Sequence, residues 1–261
     1  MQKTLEFHDV LRLIDERSAA FRAAVAAAPS LDAQVPTCPE WTLFDLVKHL
    51  GDNRYIWAAT LAAGPDATAK ATADSAGVPE APRELEALLA WSAESTRQLL
   101  EQLREAGPDR GSWAWWDISP ESPHTCGAVA RHQLQEIAVH TYDAQLTAGD
   151  PQPLPEEVAL DGVDDFLFTC VTTTSPWPHD PIIAEHQVAE GRSWRLRLDA
   201  DGAHTTRVAE SDATLEKAGA IARSTAAEAV LVFYGRLPVD TFQMEGDHRV
   251  FDQLKDWDPD A

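Results

Sequence analysis

The sequence predicts an α+β protein in which an N-terminal four-helix bundle is followed by a small C-terminal α/β domain. Four stretches within residues 1–150 carry apolar side chains at helical spacing. Residues 150–155 read DPQPLP, a proline-rich linker, and beyond it alternating apolar and polar residues indicate strands. The predicted domains are therefore residues 1–150 and residues 156–261.

The predicted bundle helices have recognisable ends. Thr42, followed three residues later by Asp45, forms a variant of the capping box and marks the start of the second helix. Gly107 and Pro108 end the third helix. Helical periodicity covers residues 7–28, the stretch that follows Thr42, about 83–106, and 125–149.

Two connections in the first domain lack helical periodicity. Residues 35–41, VPTCPEW, contain two prolines and are expected to form a stiff turn in which Trp41 closes the mouth of the bundle. Residues 64–82 have almost no large apolar side chain and are expected to form a long surface loop.

The second domain mixes helical and strand patterns. Residues 193–199 alternate with period two, and Asp201-Gly202 is a turn that lets residues 203–209 pair back as a hairpin. The other predicted elements are helices over 158–168 and 225–234, a short strand over 241–244, and a terminal helix over 251–257.

Composition excludes several classes of protein. The chain has 43 acidic and 21 basic residues and a formal charge of −22, so phosphate backbones and anionic lipids would be repelled. We expect no nucleic-acid partner and no membrane partner. No run of about 18 apolar residues is present, and the charged start of the chain is unlike a signal peptide, which favours a cytoplasmic location.

The three cysteines, Cys38, Cys126 and Cys170, do not form a disulfide framework. They are scattered without CxxC spacing, and we expect them to be reduced. Isolated cysteines are usually small core or cap residues. Cys38 and Cys126 precede predicted helices, where a helix N-terminus can activate a thiol, so a reactive role stays open for these two.

The fourth predicted helix carries the main candidate site. Glu136 and His140 lie one turn apart on the same face, flanked by apolar residues, so both point into the bundle. A buried carboxylate and imidazole must either satisfy each other by hydrogen bonding or bind a divalent metal. His49, at the edge of the apolar face of the second helix, is the candidate third ligand, and His132 is a rival.

Two further features accompany this pair. Asp143 lies near the same face and is placed to orient His140. Residues 113–116, WAWW, concentrate three tryptophans in a non-helical connection, which is either a packed structural strap or an aromatic wall of a pocket.

The motifs resemble a known family. Residues 35–51 carry the pattern V-P-T-C-P-x-W-T-x-x-D-L-V-x-H-L-G, residues 136–143 carry E-x-x-x-H-x-x-D, and residues 233–236 read FYGR. Together they resemble the mycothiol-dependent maleylpyruvate isomerase family of DinB-like four-helix bundles, and the resemblance extends over essentially the whole chain. It implies that a divalent metal, usually zinc, is held by His49, Glu136 and His140.

The resemblance also implies a class of reaction. DinB-like relatives include isomerases and thiol S-transferases that use mycothiol as a cofactor, with a small electrophile as the second partner. Arg236, in the aromatic-Gly-Arg segment, would be a catalytic residue that binds a carboxylate or developing enolate, in a pocket between the two domains. A non-catalytic metal-binding or ligand-binding protein of the same fold is the alternative, and the substrate itself stays undefined.

Overall fold

The computed structural model describes residues 5–66, 77–208 and 216–257. The chain forms two compact units. The first comprises the described residues of 1–115 and 123–154, and the second comprises those of 116–122 and 155–261. The short segment 116–122, which lies before the fourth helix in the sequence, therefore belongs with the C-terminal part of the chain.

Four long helices make up the first unit and confirm the predicted bundle. They are α1 (Phe7–Ala27), α2 (Leu43–Ala63), α3 (Leu85–Ala106) and α4 (Cys126–Ala148). Helix α1 packs mainly against α4, and α2 packs mainly against α3. Each helix buries one apolar face, which includes Ile14, Leu50, Leu99 and Ile137 respectively.

Local sequence signals set the ends of these helices. The Thr42 hydroxyl accepts a hydrogen bond from the Asp45 backbone N–H, and Asp45 accepts one from the Thr42 backbone N–H, so the predicted capping box is present. Thr125 caps α4 in a similar way through the Ala128 backbone N–H. Helix α4 ends where Gly149 adopts the left-handed conformation, with φ +83°.

The predicted stiff turn over residues 35–41 is in fact a small β-hairpin. Strands β1 (Gln34–Val35) and β2 (Cys38–Thr42) pair antiparallel, with Pro36 and Thr37 between them. Such short strands tolerate Pro39 because an edge strand has positions where no backbone N–H is needed. Two prolines within seven residues favour a turn in the sequence pattern, which is why the pattern does not predict the hairpin. The predicted loop 64–82 lies partly outside the described residues, which omit 67–76.

A mixed five-stranded sheet forms the centre of the second unit. Its strands are β3 (Ile182–Val188), β4 (Arg192–Asp199), β5 (Gly202–Arg207), β6 (Ala220–Ser224) and β7 (Gln243–Gly246), in the order β5-β4-β3-β6-β7. All neighbouring strands are antiparallel except β3 and β6. The predicted hairpin corresponds to β4 and β5, although residue 209 lies outside the described residues.

Helices accompany the sheet. They are α5 (Glu156–Asp165), which continues into a π-helix (Phe166–Val171), α6 (Ala226–Phe233) and α7 (Arg249–Asp256). Thr225 and Glu228 form a second capping box at the start of α6. Strands β3 and β6 were not predicted, since the polar residues Glu185, His186 and Arg223 disguise them in the sequence. None of the described helices combines the length and the apolar character that a membrane span requires.

Candidate metal centre

Three potential ligands converge within the bundle. His49 is on α2, and Glu136 and His140 are on α4, one turn apart. One ligand atom from each residue lies within 4.8 Å of the others. The distance from His49 Nε2 to Glu136 Oε1 is 3.2 Å, and the distance from His140 Nε2 to the same oxygen is 3.8 Å. The structure therefore brings together the three residues that the sequence singled out.

The spacing of these atoms suits a small divalent cation. Ligand atoms that each lie about 2.0–2.2 Å from a tetrahedral zinc ion are about 3.4 Å apart, and the two distances to Glu136 lie on either side of that value. The His140–Glu136 distance is too long for a hydrogen bond. Hydrogen bonding within the cluster therefore joins His49 to Glu136 but leaves His140 Nε2 out. Two imidazoles and one carboxylate form a donor set that zinc accepts.

A chain of hydrogen bonds orients His140. Its Nδ1 lies 2.8 Å from Oδ2 of the fully buried Asp143, and a carboxylate can only accept, so Nδ1 carries the hydrogen. The Thr37 hydroxyl, in the hairpin, donates to Oδ1 of the same carboxylate over 2.6 Å. In the neutral ring, Nε2 is then the atom with the free lone pair, and it is Nε2 that faces Glu136. A carboxylate behind a ligating histidine is typical of metal sites.

The environment keeps Glu136 ionised. Burial alone would raise the pKa of this carboxyl group, but the hydrogen bond from His49 and the positive charges that His140 and His132 carry when protonated outweigh it, so the pKa falls to about 2. The Asn53 side-chain amide also donates to Glu136 Oε1, over 3.4 Å. Glu136 therefore offers a charged ligand atom at neutral pH.

A buried cation lies in the same unit. Arg54 is 2 % exposed and donates to the Thr96 hydroxyl over 2.6 Å and to the Ser18 hydroxyl over 2.9 Å. Burial lowers its pKa to about 9, and the charge of Arg22 acts in the same direction, while Glu136 favours the charged form. Arg54 thus remains cationic at pH 7 and partly balances Glu136. Sequence reasoning missed it, since a lone arginine within a helix gives no signal of burial.

The cluster is partly exposed and is bounded by an aromatic ring. The side chains of His49, Glu136 and His140 are 33 %, 19 % and 8 % exposed. The ring of Trp41 lies 4.7 Å from that of His49 and 6.2 Å from that of His140, centroid to centroid. Trp41 therefore contacts the site from the hairpin, while part of the His49 and Glu136 side chains stays exposed.

His132 and the WAWW segment, two other candidates from the sequence, are not part of the ligand cluster. His132 is buried and lowers the pKa of Glu136, but it is not part of the ligand cluster, and its ring lies 5.5 Å from that of Trp115. Trp113 lies beside Trp57, and Trp116 is buried with its indole N–H donating to Ser122 O. The WAWW segment is thus largely packed structure, although Trp115 is 50 % exposed.

The cysteines are not part of the ligand cluster. None of them belongs to the group of ligand atoms found among the described residues. Cys126 is the first residue of α4, yet it is fully buried, and burial raises the pKa of its thiol despite the opposing charge of Arg110. Its position at a helix N-terminus therefore does not make it a thiolate.

Arg236 follows α6 in the second unit. Its Nη1 donates a hydrogen bond of 2.6 Å to Tyr234 O, which ties the guanidinium group to the backbone of its own turn. This contact neither supports nor opposes a catalytic role, and that role stays a prediction.

The chain is similar to known proteins both in sequence family and in fold. A family model described as the mycothiol maleylpyruvate isomerase N-terminal domain matches residues 11–145. Two crystal structures, of the mycothiol-dependent maleylpyruvate isomerase and of a histidine-to-alanine mutant of that enzyme, are similar in fold with a TM-score of 0.57. Each is 12 % identical in sequence, and the match covers 92 % of this chain and 93 % of the other. No sequence among curated proteins matches. The family model spans more than half of the chain, which therefore belongs to the mycothiol maleylpyruvate isomerase family.

Proposed function

We propose that the protein is a metal-dependent enzyme that uses mycothiol as the nucleophile toward a small electrophile, as an isomerase or a thiol S-transferase. The observation that carries the proposal is the convergence of His49, Glu136 and His140 in a chain of this family. Maleylpyruvate is the first candidate substrate, because the family and both similar structures bear its name.

The three ligands would hold a divalent cation, and zinc suits the donor set best. A divalent cation bound by two neutral imidazoles and one carboxylate keeps a net charge of about +1. This local positive charge, in a protein of charge −22, favours an anionic sulfur ligand. When bound, zinc would supply Lewis acidity that deprotonates a coordinated thiol at neutral pH. Three protein ligands leave a coordination position for that thiol.

The residues around the ligands have separate tasks in this proposal. Asp143, held by Thr37, fixes the His140 ring and keeps its Nε2 lone pair available. Asn53 holds the Glu136 carboxylate. Trp41 covers the two imidazole rings and limits the access of water. None of these steps requires a cysteine of the chain.

We also propose that Arg236 binds a carboxylate of the substrate. A guanidinium group forms paired hydrogen bonds with a carboxylate, and each charged hydrogen bond is strong. The Arg236→Met variant should lower kcat/KM by about 10- to 100-fold with unchanged zinc content. The matched control is Arg249→Met, which removes an exposed guanidinium that pairs with Asp247. Equal activity of Arg236→Met and Arg249→Met would end this assignment.

The experiment that tests the main proposal combines metal analysis with turnover. Zinc content is measured for the wild type, His140→Ala and Glu136→Gln, with His8→Ala as an exposed control. Each protein is then assayed with maleylpyruvate, and separately with an alkylating electrophile, in the presence and absence of mycothiol. We expect about one zinc per chain in the wild type and the control, little in the other two, and turnover that needs both zinc and the thiol.

The outcomes separate the alternatives. Trans product without thiol loss identifies an isomerase, and a stable thioether identifies an S-transferase. Zinc binding without turnover of either class would favour the non-catalytic alternative. A wild-type protein that neither contains nor takes up a divalent metal would refute the proposal as a whole.

A further inference from the structure

The second unit contains a cavity that the proposed function does not use. Its volume is about 210 Å³, and we refer to it as the aromatic cavity, lined among others by Phe166, His186, Phe233, Phe242, Phe251 and Lys255. An apolar cavity of about 150 Å³ is large enough to bind benzene. The aromatic cavity can therefore hold one six-membered ring and a small substituent.

The walls are rigid as well as apolar. The Phe233 ring stacks on Phe166, with 4.8 Å between the centroids. Phe242 and Phe251 are buried, and their rings lie 6.2 Å apart at a steep angle. Edge-to-face packing of this kind is favourable and holds each ring in place. Part of the wall is the π-helix Phe166–Val171, an element that is rare in proteins and is often found at functional sites.

His186 gives this apolar cavity a polar group. It is on β3, the middle strand of the sheet, where its cross-strand neighbours are Trp194 and Ala222. Its ring lies 5.0 Å from that of Phe233, 5.6 Å from that of Phe242 and 5.2 Å from that of Phe251. The surrounding residues are therefore apolar on several sides, and the small side chain of Ala222 leaves space beside the imidazole.

The imidazole of His186 has no polar partner within the described part of the chain. It is 4 % exposed, and only ring contacts join it to other described residues. Burial lowers its pKa to about 4, so at neutral pH the ring is uncharged and has one donor and one acceptor nitrogen. The ring nitrogens are not among the fully enclosed polar atoms that lack a partner, so they are accessible from the cavity that His186 lines, and a polar group of a ligand can bond to them there.

A cation lies at the solvent side of the same cavity. Lys255, on α7, lines the cavity and is exposed. No carboxylate of the described residues forms a salt bridge with it. The cavity thus combines aromatic walls, a neutral hydrogen-bonding group in the interior and a positive charge at the opening.

We propose that the aromatic cavity is a second ligand site, which binds a molecule with one aromatic or alicyclic ring, a hydroxyl or carbonyl substituent and a carboxylate. The ring occupies the space between the phenylalanines, the substituent bonds to His186, and the carboxylate remains at the opening near Lys255. The site is independent of the metal ligands, because all residues that line it belong to the second unit.

Three probes test this assignment on the full-length protein. The probes are 4-hydroxybenzoate, benzoate, which lacks the hydroxyl group, and 4-methylphenol, which lacks the carboxylate. Calorimetry gives their affinities, and nuclear Overhauser contacts locate them. We expect 4-hydroxybenzoate to bind once per chain, with contacts to the rings of His186 and Phe242, and about 3- to 10-fold more tightly than benzoate. Titration of zinc-loaded wild type and of metal-free His140→Ala should give the same affinity, which separates this site from the metal centre.

Variants test the individual contacts. His186→Phe should remove the preference for the hydroxyl group. Lys255→Gln should weaken the binding of 4-hydroxybenzoate and of benzoate about two- to fivefold without affecting that of 4-methylphenol. Lys217→Gln, another exposed lysine of the second unit, is the matched control for charge. The proposal is overturned if no probe binds saturably, if the contacts lie outside the aromatic cavity, or if binding depends on His140. The wild-type measurements decide this even where a variant fails to fold.

Discussion

Thr37 and Asp143 are 106 positions apart in the chain, yet the Thr37 hydroxyl donates a hydrogen bond of 2.6 Å to the Asp143 carboxylate. The other oxygen of that carboxylate accepts from His140 Nδ1. The hairpin that contains Thr37 and the helix that contains His140 are therefore joined directly behind the ligand cluster. Residues 35–51 and 136–143 are far apart in the chain, yet residues of both segments help to orient the His140 imidazole.

This arrangement predicts a graded loss of metal affinity. Asp143→Asn removes the negative charge that makes His140 a stronger ligand, and should weaken zinc binding by about 10- to 100-fold. Thr37→Val removes one hydrogen bond to Asp143 and should have a smaller effect in the same direction. A competitive titration with a chromophoric chelator measures both. Thr60→Val is the control, since the one bond of the Thr60 hydroxyl among the described residues is to Ile56 O of its own helix. Unchanged zinc affinity in Asp143→Asn would contradict the role of Asp143.

The cysteines should be dispensable for turnover. A protein in which Cys38, Cys126 and Cys170 are all replaced by serine or alanine should retain most of its mycothiol-dependent activity, because in the proposed mechanism mycothiol supplies the nucleophile. Cys126→Ala is preferred to Cys126→Ser, because that site is fully buried and a hydroxyl group would need a partner. Circular dichroism controls for folding. Loss of turnover in a folded triple variant, or full activity without added thiol, would point to a nucleophile of the protein or to metal-bound water.

Periodicity and capping signals were sufficient to predict the bundle. Apolar spacing located all four helices, and Thr42 and Gly149 marked two of their ends within a residue. The pair Glu136 and His140 followed from spacing within one helix. The third member, His49, did not, because spacing within α4 says nothing about which residue of another helix faces it. The family resemblance supplied that connection.

Features that depend on tertiary contacts were beyond sequence reasoning. The burial of Arg54 and the contact of Thr37 with Asp143 involve residues that are distant in the chain, and neither residue type is unusual at such positions. Strand β3 was missed because Glu185, His186 and Gln187 are three consecutive polar residues in a strand of seven. The role of polar residues in a buried strand becomes visible only when the cavity around them is seen.

Gly51 should not tolerate alanine, although alanine favours helices. A Cβ atom at residue 51, in α2, would lie 1.9 Å from Cζ3 of Trp91 in α3. Trp91 is held in place, since it is 8 % exposed and its indole N–H donates to Pro79 O over 3.1 Å. Overpacking costs about 1–3 kcal/mol, more than the gain of about 1 kcal/mol in helix propensity.

The consequence is a net loss of stability in Gly51→Ala, measured by urea denaturation. A double-mutant cycle provides the control, because Trp91→Leu makes room for the new methyl group. The Gly51→Ala change should be neutral or stabilising in that background. A Gly51→Ala protein that is more stable than the wild type would show that the Trp91 ring moves aside without loss.

The stability of the protein should depend on pH through His186. Burial lowers the pKa of this imidazole from its ordinary value of 6.5 to about 4 in the folded protein. Between these two values the unfolded chain binds a proton that the folded chain does not, so the free energy of unfolding falls as the pH falls. Above about pH 6.5 His186 is neutral in both states and no stability is lost through it. By about pH 4 the free energy of unfolding has fallen by about 3 kcal/mol. The His186→Phe variant has no such group and should lose less stability over this window.

Urea denaturation of the wild type and of His186→Phe, at several values between about pH 7.5 and pH 4, isolates this contribution, because the other titrating groups are common to both proteins. His8→Phe is the control, since His8 is exposed and the change leaves the aromatic cavity intact. The difference in unfolding free energy between wild type and His186→Phe should change by a few kcal/mol in favour of the variant as the pH falls. A difference that is independent of pH would mean that the folded protein accepts the proton, through water or a rearranged cavity. His186 would then lie in a hydrated cavity and not in an apolar one, which would count against the aromatic cavity as a site for a ring.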